Sequence, residues 1–169
     1  MPLAGLLASL ERTPLLVFDA FTGVADAVLR RRLPSGGFAL VEQIWHLADL
    51  EREGYGVRIR RILCEDEPYL ADFDGDRVAR ERDYKRLDLA AGLEAFAIAR
   101  GRNVRKLRSI HNSDWKRRGH QDNFGTISLE DVPRMMAEHD RAHTSEVADL
   151  LAHIVEGKAY RPHPTSAVA

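Results

Sequence analysis

The sequence predicts an all-α protein, a four-helix bundle with a long crossover between helices 2 and 3. Apolar residues return every three or four positions in four long stretches, the period of helix faces that share a core. Proline, glycine and capping residues punctuate those stretches, and no run alternates as a half-buried strand does. The connection after the second stretch, residues 64–86, would span a bundle end to end at about 3.3 Å per residue. Helices 2 and 3 therefore need not be antiparallel neighbours, which opens an up-down-down-up order.

Leu3 to Leu10 reads as a short helix. Thr13-Pro14 then reads as the start of helix 1, with Thr as cap and Pro in the first turn. Leu15, Phe18, Phe21, Ala25, Val28 and Leu29 form its stripe, and Leu33-Pro34-Ser35-Gly36-Gly37 stops it. Helix 2 spans about Ala39 to Leu63 on a seam of Leu40, Gln43, Leu47, Leu50, Gly54 and Val57, with His46 on its flank. Arg58, Arg60 and Arg61 read as cations at the negative pole of that helix. The crossover is acidic. A calcium loop over Asp72-Phe73-Asp74-Gly75-Asp76 fails, because the glycine is misplaced and Arg occupies position 77.

Helix 3, about Leu87 to His111, has the seam Leu89, Leu93, Phe96, Arg100, Val104, Leu107 and Ile110. Arg100 stands where an apolar residue is expected, and either snorkels to water or binds a carboxylate in a polar pocket. A loop from Asn112 to Ile127 follows, carrying Trp115 and His120. Ser128 caps helix 4 with Asp131 as a capping-box variant, and Gly157 closes it. Residues 1–156 read as one domain and 157–169 as a polar, proline-broken tail.

The 169 residues are 44% hydrophobic and 30% charged, with a net charge of −1 that argues neither for nor against nucleic acid as a whole-protein property. Arg102, Arg105, Lys106 and Arg108 point away from the seam and read as a solvated face. No apolar run reaches the roughly 20 residues of a membrane span. The N-terminus lacks the basic start of a secretory signal, and lone Cys64 cannot make an intramolecular disulfide, so a cytoplasmic setting is expected.

Chemistry concentrates on helix 4. Val132, Met136, His139, His143, Val147, Leu150 and Ile154 share one face, so two imidazoles one turn apart lie among core side chains. At that spacing both can reach one metal ion; two structural histidines are the plainer alternative. His139-Asp140-Arg141-Ala142-His143 is chemically like H-E-x-x-H with the shorter Asp140 in place of the general base, which casts Asp140 as a supporting or solvent-facing group. His46, on the core side of helix 2, is the candidate third ligand, leaving positions open for water or substrate. A di-iron carboxylate site is disfavoured, because helix 1 offers no inward Glu.

The run Glu42-Gln-Ile-Trp-His46-Leu-Ala-Asp-Leu-Glu51, the crossover Phe73-Asp-Gly-Asp76, Phe96 with Arg100, and Gly125-Thr-Ile-Ser-Leu-Glu-Asp leading to His139 and His143 together resemble the DinB-like (DinB/YfiT) superfamily of metal-binding four-helix bundles. The resemblance implies an up-down-down-up bundle, often a homodimer. It also implies a divalent metal, nickel or zinc among others, on His46, His139 and His143. Relatives of that kind include hydrolases and transferases that use a low-molecular-weight thiol. The expected function is thus a metal-dependent enzyme that activates a thiol or water toward a small-molecule substrate. Arg100 or His120 would hold an anionic part of that substrate. A non-catalytic metal or small-ligand binder is the alternative, and a nucleic-acid-associated factor is less favoured.

Overall fold

The computed structural model describes residues 2–33 and 36–156, with the backbone alone for the last two. Pro34-Ser35 of the predicted helix-1 stop, Gly157 and the tail 157–169 lie outside the described residues. Four long helical elements form the bundle: α1 (Leu3–Phe21), α3 continuing into α4 (Leu40–Asp49 and Gly56–Cys64), α6 (Leu89–Arg108) and α7 (Val132–Glu156). The short helices α2 (Asp26–Leu29) and α5 (Gly75–Glu81) lie in the connections.

The order is up-down-down-up. Ile44 and Trp45 meet Gly92, Glu51 meets Arg100, and Gly56 meets Asn103, so α3–α4 and α6 advance in the same direction. Gly92 permits that close approach, since a Cβ there would stand 2.9 Å from Trp45 Nε1. His46 pairs with His139 while Gln43 pairs with Glu146, so α7 runs back against α3.

Helix 1 differs from its prediction. It starts at Leu3, runs through Pro14 and stops at Phe21 instead of continuing to Leu33. Proline has no N–H, so the carbonyl of Leu10 four residues earlier loses its helical donor. Arg100 Nη1 donates to that carbonyl at 3.0 Å and satisfies it from the neighbouring helix. A break that local rules place at Thr13-Pro14 is thereby bridged by a tertiary contact.

The middle of helix 2 is also irregular. Leu50–Tyr55 winds as a π-helix, with the Gly56 N–H reaching Glu51 O five residues back. Gly56 tolerates this because a Cβ would stand 2.9 Å from that same carbonyl. The wider turn shifts the helix face by about one residue. Val57 loses the seam, and Arg58 and Ile59 are buried instead. Arg58 is thus an interior side chain rather than a charge at the helix pole.

The two regions read as loops are partly ordered as a three-stranded sheet in the order β1-β2-β3. Strand β1 (Tyr69–Leu70) lies parallel to β2 (Arg118–Gln121), which is antiparallel to β3 (Gly125–Ser128). Asp74 caps α5 by accepting from the Arg77 N–H at 2.9 Å, which is the structural use of the acidic crossover. Before α7, Asp131 accepts from the Ser128 N–H at 2.8 Å and from its hydroxyl at 2.6 Å, the backward half of the predicted box.

The core divides into two apolar clusters. One gathers Leu7, Leu10, Leu50, Tyr55, Phe73, Val104 and Met136; the other gathers Val17, Phe21, Leu40, Ile44, Leu47, Phe96, Val147 and Leu150. On each long helix the change of cluster falls near a buried polar residue: Thr13 on α1, His46 and Glu51 on helix 2, Arg100 on α6, Asp140 and His143 on α7. A polar layer crosses the bundle at mid-height.

Candidate metal centre

That layer brings His46, His139 and His143 together, with one ring nitrogen of each within 4.8 Å of the others. The ring centroids lie 4.2–5.3 Å apart, and Nε2 of His46 stands 3.2 Å from Nε2 of His139. Nitrogens bound at about 2.0–2.1 Å in tetrahedral directions stand roughly 3.3 Å apart, so this separation fits a shared ion. Burial pushes all three imidazole pKa values down, with mutual repulsion adding to the effect on His46 and His139 and the nearby Glu146 and Asp140 opposing it on His143. The rings are therefore neutral near pH 7, the form in which an imidazole lends a lone pair.

His143 is oriented. Its Nδ1–H donates to Gln43 Oε1 at 2.5 Å, and Gln43 Nε2 donates to Glu146 Oε2 at 2.8 Å. Because the Glu146 carboxylate only accepts, the amide turns its NH2 to Glu146 and its Oε1 to the imidazole, which keeps the proton on Nδ1. The lone pair of Nε2 is left facing the other rings, the usual arrangement behind a metal-bound histidine. His46 is held sterically, between the rings of Phe38 and Phe73 at 5.4 and 5.9 Å. Its Nδ1 is buried with no partner among the described residues. Gly75 presses on the same ring: a Cβ there would come within 2.5 Å of His46 Nδ1 and Cε1. Tyr55 closes on His139 edge-on at 6.2 Å.

The other sequence candidates are placed differently. Arg100, 1% exposed, donates both Nη groups to Asp140, at 2.6 and 2.7 Å, and lies 2.9 Å from Glu51. It does bind carboxylates, as the sharper sequence reading held, but they are the protein's own, so Arg100 is not available to a substrate anion. Asp140, next in sequence to His139, has both oxygens on Arg100. Glu51 also receives Asn103 Nδ2 at 2.7 Å. His120 lies on β2, exposed and stacked on Tyr69 at 6.3 Å, apart from the three histidines. Cys64 is a free, exposed thiol. Sequence reasoning missed Glu146, Gly75 and Arg58 and gave Gln43 a merely apolar seam position. Gln43 and Glu146 each stand three residues from a histidine, on its own face, which is the signal that points to them.

An up-down-down-up helical bundle with three convergent, neutral imidazoles at mid-height is a four-helix bundle with a candidate metal centre. The match to a family model over residues 9–147 is to the DinB superfamily, and the chain belongs to it. It is 25% identical over 142 residues to the protein of Bacillus subtilis (strain 168) named "Putative metal-dependent hydrolase YfiT", covering 83% of this chain and 79% of that one. The solved structure of that YfiT, described as "a probable metal-dependent hydrolase with an unusual four-helix bundle topology", superposes with a TM-score of 0.83. At 22% identity over 90% of this chain and 87% of that one, the superposition establishes the fold. No described helix is long and apolar enough to cross a membrane.

Proposed function

We propose that this protein is a metal-dependent enzyme of the hydrolase type, with a divalent ion held by His46, His139 and His143 and a small molecule as substrate. The observation that carries the reading is the meeting of three histidine ring nitrogens from two helices within 4.8 Å. The name borne by the Bacillus subtilis relative supports it. A bound ion of this kind supplies Lewis acidity that lowers the pKa of a water or thiol at neutral pH. Gln43 and Glu146 hold His143 in the ligating tautomer, while Phe38, Phe73 and Tyr55 keep bulk water from the rings. Three imidazoles suit nickel or zinc.

Transfer of a low-molecular-weight thiol is the second reading. It is favoured by the engagement of both Asp140 oxygens with Arg100, since thiol activation on a metal needs no neighbouring carboxylate base. Either reaction carries with it the cytoplasmic homodimer that the family resemblance and single cysteine imply.

Elemental analysis of protein purified without a histidine tag tests the site: about one nickel or zinc per chain is expected, lost in His46→Ala, His139→Ala and His143→Ala. A folded protein that takes up neither ion overturns the proposal. Parallel turnover of activated esters and of thiol-plus-electrophile pairs, each absent in His143→Ala, separates hydrolysis from thiol transfer. Metal binding without either turnover identifies a binding protein instead.

A further inference from the structure

Arg58 is an interior charge with few partners. It is 3% exposed, yet among the described residues its one ion pair is a 3.2 Å contact from Nη2 to Asp72 Oδ1. Asp72 is 26% exposed and already shared, accepting from the Phe73 N–H and from Asn123 Nδ2, each at 3.0 Å. The Arg58 Nε–H is buried with no partner among the described residues. Arg100 leaves its Nε–H unpartnered too, but its Nη groups are met by two buried carboxylates and a carbonyl. A buried guanidinium so thinly matched is costly unless a ligand completes it.

Two tethers place Arg58 beside the histidines. Its guanidinium carbon stands 5.3 Å from the centre of the Tyr55 ring, and that ring abuts His139. Its partner Asp72 immediately precedes Phe73, whose ring abuts His46. Burial lowers the Arg58 pKa, and its charge is among those that push His139 down.

We propose that Arg58 is a specificity-determining residue that receives a carboxylate group of the substrate beside the metal centre. The inference rests on the metal-site reading above. Three neutral imidazoles bring no charge to a divalent ion, and the carboxylates of Glu146, Asp140 and Glu51 are occupied by Gln43, Arg100 and Asn103. Arg58, opposed in part by Asp72, is the cation left to meet an anionic ligand. The planar fork of a guanidinium matches a carboxylate in two parallel hydrogen bonds. The π-helix at Leu50–Tyr55 is the device that turns Arg58 inward.

The test uses zinc-loaded, ¹⁵N-labelled protein titrated with acetate, following the Arg58 Nε–H resonance by NMR. A saturable shift is expected. Arg58→Gln weakens acetate binding about tenfold or more, and Arg58→Lys weakens it less. Asp72→Asn frees the guanidinium and tightens acetate binding, a direction that a merely loosened fold does not produce. Absence of a saturable shift, or acetate binding that is unchanged in Arg58→Gln, overturns the proposal. Tighter Arg58-dependent binding of inorganic phosphate than of acetate overturns the carboxylate assignment. Zinc content of the same samples keeps the two readings apart: no zinc in the unmodified protein defeats the metal centre, whereas bound zinc with acetate indifferent to Arg58 defeats this inference alone.

Discussion

Two polar clusters share the middle of this bundle and differ in how they are satisfied. Around Arg100, charges meet charges: both Nη groups are engaged by Asp140, Glu51 and the Leu10 carbonyl, and Glu51 is further tied to Asn103. Around His46, His139 and His143, three neutral rings turn their nitrogens toward one point. His139 and Asp140 are successive residues, so the boundary between the two clusters runs along α7 itself. The first cluster spends its polarity on holding helices together, the second keeps it in reserve for a ligand. Each cluster keeps a buried polar atom with no hydrogen-bond partner among the described residues, Arg100 Nε in one and His46 Nδ1 in the other, so what marks the site is the convergence of three neutral ring nitrogens.

The contrast is sharpest for stability. Arg100→Met strands two buried carboxylates and the Leu10 carbonyl, and should cost about 3–5 kcal/mol in urea denaturation. A loss under 1 kcal/mol would erase the distinction between the clusters. Gln43→Leu leaves the Arg100 side intact and strips the orienting bond from His143. Metal affinity, measured by competition with a chromophoric chelator, should fall about 10- to 100-fold. Unchanged affinity would mean that the amide does not set the tautomer.

Acid separates the clusters further. The three histidine pKa values are depressed in the folded protein, so below about pH 6.5 the unfolded chain takes up protons that the folded one refuses. The stability of metal-free protein is therefore complete above pH 6.5 and lost as pH falls below it, by up to about 1.4 kcal/mol per pH unit for each histidine. Arg100 stays charged throughout and contributes no slope. Urea titrations at pH 7.5, 6.5 and 5.5 read the effect, and a flat profile would contradict neutral burial of the rings. The smallest effect is expected at Pro14. Proline inside a helix typically costs about 3 kcal/mol, but Arg100 already serves the orphaned carbonyl, so Pro14→Ala should stabilise by less than about 1 kcal/mol.

The histidine cluster was legible in the sequence because its cues are local. His139 and His143 are fixed by a four-residue step on a buried stripe, and His46 by its place on the core side of helix 2. Arg100 was legible as a charge on a core seam, one reading of which bound a carboxylate. Its partners were not, since the Arg100–Asp140 pair is separated by 40 residues and the Asn103–Glu51 pair by 52, with no shared residue type to link them. No window along the chain contains both partners. The sheet escaped for the opposite reason: strands of two and four residues are too short to show a period, and Arg-Gly-His-Gln carries no strand-forming side chain. The π-helix is invisible to a search at 3.6 residues per turn and misassigns everything after it, which is how Val57 took the place of Arg58. Helix 1 failed because a rule about proline is local while its remedy is supplied by another helix.

Gly75 joins the start of α5 to the imidazole of His46 with no side chain between them. A shift of this ring toward the crossover must displace the backbone at Gly75. An ion that moves the ring should then alter the susceptibility of residues 65–86 to protease, an outside gauge of the interior.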